Sequence, residues 1–304
     1  MDSEFELKEV HAKDYEALKY YFSLRQTGTC ENVITDTYLW KIYYRTKYFL
    51  TDTGLCFVYK TDTETFSAVP LAAPEHLQEN VEILERYFHE VLHQPLTMYL
   101  VDQEAVELLD LPEKRYEVEP ERMYFDYVYD AEKLRTLSGK LYHKKKNHVN
   151  AFLKEYAGRY QCRRLACHDI EETLDFIHRW HASRISDDPF HRDDYEVRGI
   201  EYVLRNCRLI QYEIFGVYVD GKMEAFSLGT YDEVTKTAVI HVEKANPDIR
   251  GLYPFINQQF LCQAFPEAVY VNREDDMGLP GLRKAKESYH PIRLVEKYMV
   301  RERI

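Results

Sequence analysis

The chain has 304 residues, room for about two domains of ordinary size. Its 45% hydrophobic and 30% charged residues suit a globular protein with a sizeable core, and only 11 glycines and 11 prolines exclude a fibrous or linker-dominated chain. A formal net charge of −12 excludes a chain-wide basic footprint, so double-stranded DNA is not an expected partner and any polyanion must be met by a local patch.

In chain order, FELKEV (5–10) reads as a short strand and 11–23 as an amphipathic helix, followed by a second helix over VITDTYLWKIYYR. KYFLTD, GLCFVYKT and TFSAVPLA are strand-like runs separated by polar T-D-T turns. Residues 74–92 have helical spacing, with Pro74 suited to a first turn. LTMYLVD then predicts a buried strand, QEAVELLDL a short helix, and RYEVEPERMYFDYVYD a period-two β pattern. The second half predicts a helix over 143–158 ending at Gly158, a strand YQCRRLA, a helix that begins at Asp169, and another over DYEVRGIEYVLRNC. Residues 211–246 read as a β-meander turning at Asp220-Gly221, a strong hairpin signal. Helix LYPFINQQFLCQAF, strand AVYVNRE, helix LPGLRKAKESY and a closing strand VEKYMVR complete the chain.

The order strand, two helices, antiparallel meander, helix, strand, helix, strand thus occurs twice. It predicts an α+β fold of two similar halves with mixed, mainly antiparallel sheets flanked by helices, residues 1–128 and 129–304. The 26 tyrosines, against 15 phenylalanines and two tryptophans, suit half-buried sheet faces and cleft walls. Six cysteines without a C-x-x-C pair are expected as reduced thiols in a cytoplasmic protein. The acidic N-terminus lacks an apolar leader, and no apolar run approaches the roughly 18 residues of a membrane span. A soluble protein is expected, with peripheral contact at a membrane surface still compatible.

The densest positive charge is His143-Lys144-Lys145-Lys146-Asn147-His148. Such runs are commonly solvated faces, but Asn147 and the histidines add the directional hydrogen bonding of a phosphate or carboxylate site. In VNREDDMGLPGLRKAKESYHP (271–291), Asn272, Arg273 and Asp276 enter a turn punctuated by Gly278 and Gly281, and Arg283, Lys286 and Tyr289 follow on a helix. Ligands bind where strands end in such turns, and Arg273 with Arg283 are candidates to clamp an anion. The alternative is a cluster of mutual ion pairs. Arg250-Gly251 precedes a helix start, where free N–H groups bind anions. His181, Asp187 and Asp188 belong to a polar segment read as an acceptor loop; without an H-E-x-x-H spacing no metal is expected there.

The blocks HKKKNHVNAF, HVEKANPDIRGLYPFINQQF and VYVNREDDMGLPGLRKAKESYHP resemble the signature blocks of a bacterial family related to the C-terminal domain of phosphatidylglycerol lysyltransferase. The resemblance spans essentially the whole chain. It implies two tandem acetyltransferase-like (GNAT) domains, similar also to Fem-type aminoacyltransferases, and hence acyl or aminoacyl transfer by the second half. In the acetyltransferase loop Q/R-x-x-G-x-G/A that cradles coenzyme A, this chain has Arg250-Gly251-Leu252-Tyr253-Pro254-Phe255, with bulky residues where later glycines stand. That favours an aminoacyl-tRNA-like donor over coenzyme A, with an amine or hydroxyl acceptor on a lipid head group, peptide or small molecule. Glu243 is expected as base and Tyr289 as acid, with backbone N–H groups near 243–245 facing the oxyanion. Lys144–Lys146, Arg273 and Lys286 are expected to hold phosphates. A coenzyme A-dependent N-acyltransferase and a non-catalytic ligand-binding module are the alternatives.

Overall fold

The computed structural model describes residues 5–183 and 192–303. In the first part of the chain the elements are β1 (Lys8–Glu9), α1 (Tyr15–Phe22), α2 (Ile34–Trp40), β2 (Lys47–Leu50), β3 (Gly54–Lys60), β4 (Thr65–Ser67) and β5 (Leu71–Ala72). Then come α3 (Leu77–Glu90), β6 (Thr97–Asp102), α4 (Gln103–Leu108), β7 (Tyr116–Pro120), β8 (Asp126–Asp130), α5 (Ala131–Thr136), α6 (His143–Glu155) and β9 (Tyr160–Arg164). The rest comprises α7 (Ile170–Ala182), α8 (Arg192–Arg205), β10 (Glu213–Val219), β11 (Lys222–Asp232), β12 (Thr237–Ala245), α9 (Leu252–Ala264), β13 (Tyr270–Asn272), α10 (Pro280–Glu287), β14 (Arg293–Val295) and β15 (Lys297–Glu302). Two mixed sheets flanked by helices confirm the α+β expectation.

The chain divides into two compact units: unit 1 is 1–125 with 295–304, and unit 2 is 126–294. The tyrosine-rich run read as one β pattern breaks after Pro120, so β7 and β8 serve different sheets. The closing strand also departs from expectation. Instead of completing the second half, β15 lies between β6 and β7 of the first sheet, antiparallel to both. Alternating residues explain the fit: Val300 is buried in the unit 1 core with Phe49, Leu84, Phe88 and Met98, while Arg301 faces solvent.

Unit 1 has the sheet order β1-β2-β3-β4-β6-β15-β7, with β5 beside β3, and α3 packs its apolar stripe on the sheet. Its parallel pair, β4 and β6, is joined by α3 and meets at Ser67 opposite Met98. Unit 2 has the order β14-β8-β13-β12-β11-β10-β9. Here the parallel pair is β12 and β13, joined by α9; pairing covers Thr237–Val239 against Tyr270–Asn272 and stops, while β12 runs on to Ala245. Both units therefore contain a fork where two parallel strands part at their carboxyl ends. The predicted hairpin is present at Asp220-Gly221, both residues with positive φ.

The thiol expectation is corrected. Cys167, before α7, and Cys207, after α8, form a disulfide with Cα atoms 5.9 Å apart. The two residues lie 40 positions apart; the packing of α7 on α8 brings them together, which spacing alone does not reveal. Cys30, Cys56, Cys162 and Cys262 are free.

Candidate functional site

In unit 2 the site forms at the fork, and a β-bulge aims its central residue. The β11–β12 register pairs Gly229 with Ile240 and Leu228 with Val242, so His241 is an extra residue on β12. Without it, Ile240, Val242 and Lys244 would share one face. With it, Ala238 and Ile240 are followed on the core face by Glu243 and Ala245. Glu243 thereby faces α9 and stands opposite Ser227. The bulged His241 is held by Thr230 Oγ1 at 2.9 Å and Glu274 Oε1 at 2.7 Å, and burial lowers its pKa to about 3, with Asp126 opposing.

Both Glu243 oxygens accept one bond: Asn257 Nδ2 donates at 2.8 Å and Arg273 Nη2 at 3.0 Å. The Glu243 and Arg273 side chains are 10% and 12% exposed, so this ion pair is largely withdrawn from water. Burial works against the Arg273 charge, but Glu243, Tyr129 and Tyr289 more than restore it and raise its pKa. The Arg273 guanidinium lies 4.8 Å from the Tyr289 ring and 5.9 Å from that of Tyr129. Lys145 Nζ sits 3.8 Å from the centre of the same Tyr289 ring. Burial lowers the Lys145 pKa to about 8, helped by Arg273 and partly offset by Glu243. Tyr289 is 5% exposed, and burial raises its pKa, so its hydroxyl stays protonated.

Around this cluster three buried polar atoms have no hydrogen-bond partner among the described residues: Ser227 Oγ, Asn257 Oδ1 and Arg273 Nη1. A buried orphan of this kind costs about 1–3 kcal/mol, and here a donor, an acceptor and a hydroxyl occur within one cluster. Together they match a ligand that offers both a carbonyl and an N–H.

The other sequence-predicted residues divide by location. On α6, His143, Lys144, Lys146 and Asn147 are exposed, whereas Lys145 turns inward with His148, Val149 and Phe152. Burial lowers the His148 pKa, with Arg250, Lys145 and Lys144 acting in the same direction. Arg250 itself is exposed. Gly251 has φ +83°, and a Cβ there would collide with the His148 carbonyl oxygen, so the glycine admits α6 rather than a ligand. Phe255 is core, its ring tilted against that of Phe152 with centroids 4.5 Å apart. The residues present do not fit a backbone cradle for coenzyme A.

The 271–291 turn is built largely from its own ion pairs and caps. Asn272 donates to Asp126 at 2.9 Å and accepts from the Glu274 N–H. Arg283 grips both oxygens of Asp276 (2.8 and 2.9 Å) rather than an anion. Burial would raise the Asp276 pKa, but Arg283, Tyr127 and the Gly278 N–H hold it below the usual carboxylate range. Lys286 donates to the carbonyls of Arg273, at 2.5 Å, and Asp275. Its pKa is lowered by burial. These residues fix where Arg273 points; they are not free to hold phosphate. His181 pairs with Asp194 at 2.8 Å, joining α7 to α8, while Asp187 and Asp188 lie outside the described residues.

The orphans Ser227 and Asn257 were missed by sequence reasoning. A signal existed for Asn257, a polar residue three and four positions before the buried Phe260 and Leu261. None existed for Ser227, whose place depends on the bulged register.

Two forked α+β units in one chain give a tandem acetyltransferase-like fold. The chain belongs to the family described as phosphatidylglycerol lysyltransferase, C-terminal, whose sequence model matches residues 22–301. A conserved protein of unknown function from Bacteroides thetaiotaomicron VPI-5482 is 28% identical, with a TM-score of 0.88 over 98% of this chain and 100% of that one. The structure of L-PGS from Bacillus licheniformis is 13% identical, with a TM-score of 0.67 over 95% of this chain and 92% of the other. A GNAT-family acetyltransferase from Colwellia psychrerythraea is 11% identical, with a TM-score of 0.50 over 98% and 99%. The likeness to these last two concerns the fold alone. Among the described residues no helix is long and apolar enough to cross a membrane.

Proposed function

We propose that unit 2 transfers an aminoacyl group from an ester donor of the aminoacyl-tRNA kind to an amine or hydroxyl acceptor. The observation that carries this reading is the trio of unpartnered buried atoms around Glu243. An α-aminoacyl group presents what they lack: its carbonyl oxygen accepts from Arg273 Nη1, and its amino group donates to Asn257 Oδ1. The family membership supports the same class of chemistry.

In this reading Arg273 faces the oxygen on which charge develops as the acceptor attacks the ester carbon. Glu243, each oxygen already accepting a bond, orients Arg273 and Asn257. The base role therefore passes from Glu243 to Lys145, whose pKa near 8 leaves part of it neutral at physiological pH. It takes the acceptor's proton as the new acyl bond forms. The old ester bond breaks, and the protonated Tyr289 hydroxyl is the candidate donor to the departing ribose oxygen. Lys145 then gives up the acceptor's proton to water and Tyr289 regains one from water, which resets both groups. The exposed Lys144 and Lys146 remain candidates for donor phosphates, with an anionic lipid surface as one source of acceptor.

The filled space at Gly251 speaks against coenzyme A. The test is transfer of labelled amino acids from charged tRNAs to phosphatidylglycerol vesicles, peptides and small amines, with acetyl-CoA binding followed by calorimetry. Transfer is expected from a charged tRNA, falling about 10²-fold or more in Arg273→Lys and Glu243→Gln, with no heat from acetyl-CoA. Acetyl-CoA binding without any tRNA-dependent transfer would sink the proposal in favour of an N-acyltransferase.

A further inference from the structure

Beside the Tyr289–Lys145 contact, unit 2 presents an exposed surface that the transfer chemistry leaves unused. Tyr289 is followed by His290, whose ring meets that of Tyr142 edge-on at 5.7 Å. Tyr142 ends a short 3-10 turn, Lys140–Tyr142, that leads into α6. This ring contact brings together two segments far apart in sequence, 140–144 and 290–294. Each holds an aliphatic side chain out in solvent: Leu141 is 64% exposed and Ile292 is 53% exposed. In the turn Tyr142 takes the buried place, which leaves Leu141 outside. The Ile292 N–H is fixed by the Val128 carbonyl at 2.8 Å, and β14, which follows it, is the outermost strand of its sheet. Leu294 on that strand is exposed as well.

Single exposed leucines are ordinary on a globular surface, so the surroundings decide what these mean. Here the surroundings are positive. Lys140 and Lys144 flank Leu141, and Arg293 adjoins Ile292; all three are exposed, and none pairs with a carboxylate among the described residues. Arg293 instead lies over the exposed Tyr270 ring at 5.6 Å. Elsewhere on unit 2 exposed cations hold partners, as Arg159 does with Asp220, Arg164 with Glu213 and Arg205 with Glu171. The nearby carboxylates are committed in part: Asp130 caps α5 through the Lys133 N–H at 3.0 Å, and Glu132 pairs with Arg135. Glu287, at the end of α10, is the acidic group to set against the three cations.

In a chain of net charge −12, cations left without carboxylates beside protruding aliphatic side chains match a partner that is anionic outside and apolar within. An anionic bilayer has that layering: lysine and arginine meet its head groups while apolar side chains enter the acyl boundary. Nucleic acid would use the cations but gain little from leucine and isoleucine, since it favours aromatic or guanidinium faces on which bases stack. We propose that this face of unit 2 docks on an anionic lipid surface, with Leu141 and Ile292 inserted and Lys140, Lys144 and Arg293 against the head groups. The docking goes beyond the transfer chemistry and does not need it. Only its use, to bring a lipid acceptor to Lys145 and Tyr289, rests on that reading.

The test is co-sedimentation of the full chain with sucrose-loaded vesicles in the absence of tRNA. Vesicles of phosphatidylcholine alone are compared with an equal mixture of phosphatidylcholine and phosphatidylglycerol. Binding to the mixture is expected, weakening as salt rises, and at least about tenfold weaker to the neutral vesicles. Leu141→Ser with Ile292→Ser, checked for native circular dichroism, is expected to lower binding to the mixture about tenfold. Lys140→Gln with Arg293→Gln is expected to lower it by a similar factor and to flatten its salt dependence. Leu209→Ser, an exposed leucine that leads into β10 on the other side of the sheet, is expected to leave it unchanged. The proposal is overturned by no sedimentation with the mixture, by equal binding to both kinds of vesicle, or by a folded Leu141/Ile292 variant that binds as the native chain does. An equal loss in Leu209→Ser also overturns it, as does a Leu141/Ile292 variant that loses tRNA binding as much as vesicle binding, which would mark a nucleic-acid face. Vesicle binding without any aminoacyl transfer keeps the docking and removes the transfer reading; transfer to soluble acceptors without vesicle binding does the reverse.

Discussion

The two units build the same fork and furnish it in opposite ways. In unit 2 a bulge turns Glu243 inward, Asn257 and Arg273 hold it, and among the described residues Ser227, Asn257 and Arg273 each keep a buried polar atom without a partner. In unit 1 the equivalent place is walled by aromatic rings, Trp40, Tyr44, Phe57, Tyr59 and Phe66 among them. A doubled fold therefore need not mean a doubled activity. The backbone sets where the fork lies, and a few side chains set the chemistry that lines it.

The asymmetry can be broken from the unit 2 side. The disulfide there brackets α7 and α8, and Trp180 of α7 donates to the Ala245 carbonyl at 3.0 Å, at the end of the strand that carries Glu243. Closing a loop of this length stabilises by about 4 kcal/mol. Cys167→Ser with Cys207→Ser is expected to lose roughly that amount in urea unfolding followed by Trp180. The Trp40 signal of unit 1 is expected to shift less, and equal shifts of both signals would show that the units unfold as one. Gly251→Ala comes next, at about 2–4 kcal/mol, because the new methyl meets a backbone carbonyl at positive φ. Its melting temperature is the measurement, and an unchanged value would mean that α6 can step back.

The smallest effect concerns pH. The Lys145 pKa is lowered in the folded chain to about 8, so between about 8 and the ordinary lysine value the unfolded chain binds more protons. Lys145 thus contributes a stability that rises with pH through that window. Transfer is expected to rise from pH 7 to 9 with a midpoint near 8, and to lose that dependence in Lys145→Arg. A wild-type profile flat over this range would remove Lys145 as the base.

Much of this was legible beforehand, and the misses share a cause. Arg273, Tyr289 and Lys145 drew attention because a charge or phenol in a glycine-bounded turn or basic run stands out locally, and Glu243 through the family resemblance; the structure brings the four together. Asn272, Asp276 and Lys286 drew attention for the same reason, yet they are taken up by carbonyls, N–H groups and partners of their own unit, including Arg283, Asp126 and Tyr127. Ser227 became part of the site only through pairing register, and the disulfide only through helix packing. Register and packing are properties of distant segments, and a local pattern cannot hold them.

The placement of β15 has a consequence for how the protein is made. Its sheet neighbours β6 and β7 lie nearly two hundred residues upstream, with the whole of unit 2 encoded between. A ribosome delivers the chain from its N-terminus, so the earlier sheet keeps a gap between β6 and β7 for as long as the residues of unit 2 are being made. The first unit to begin is the last to finish. During that interval its open strand edges are the surfaces a chaperone would be expected to shield.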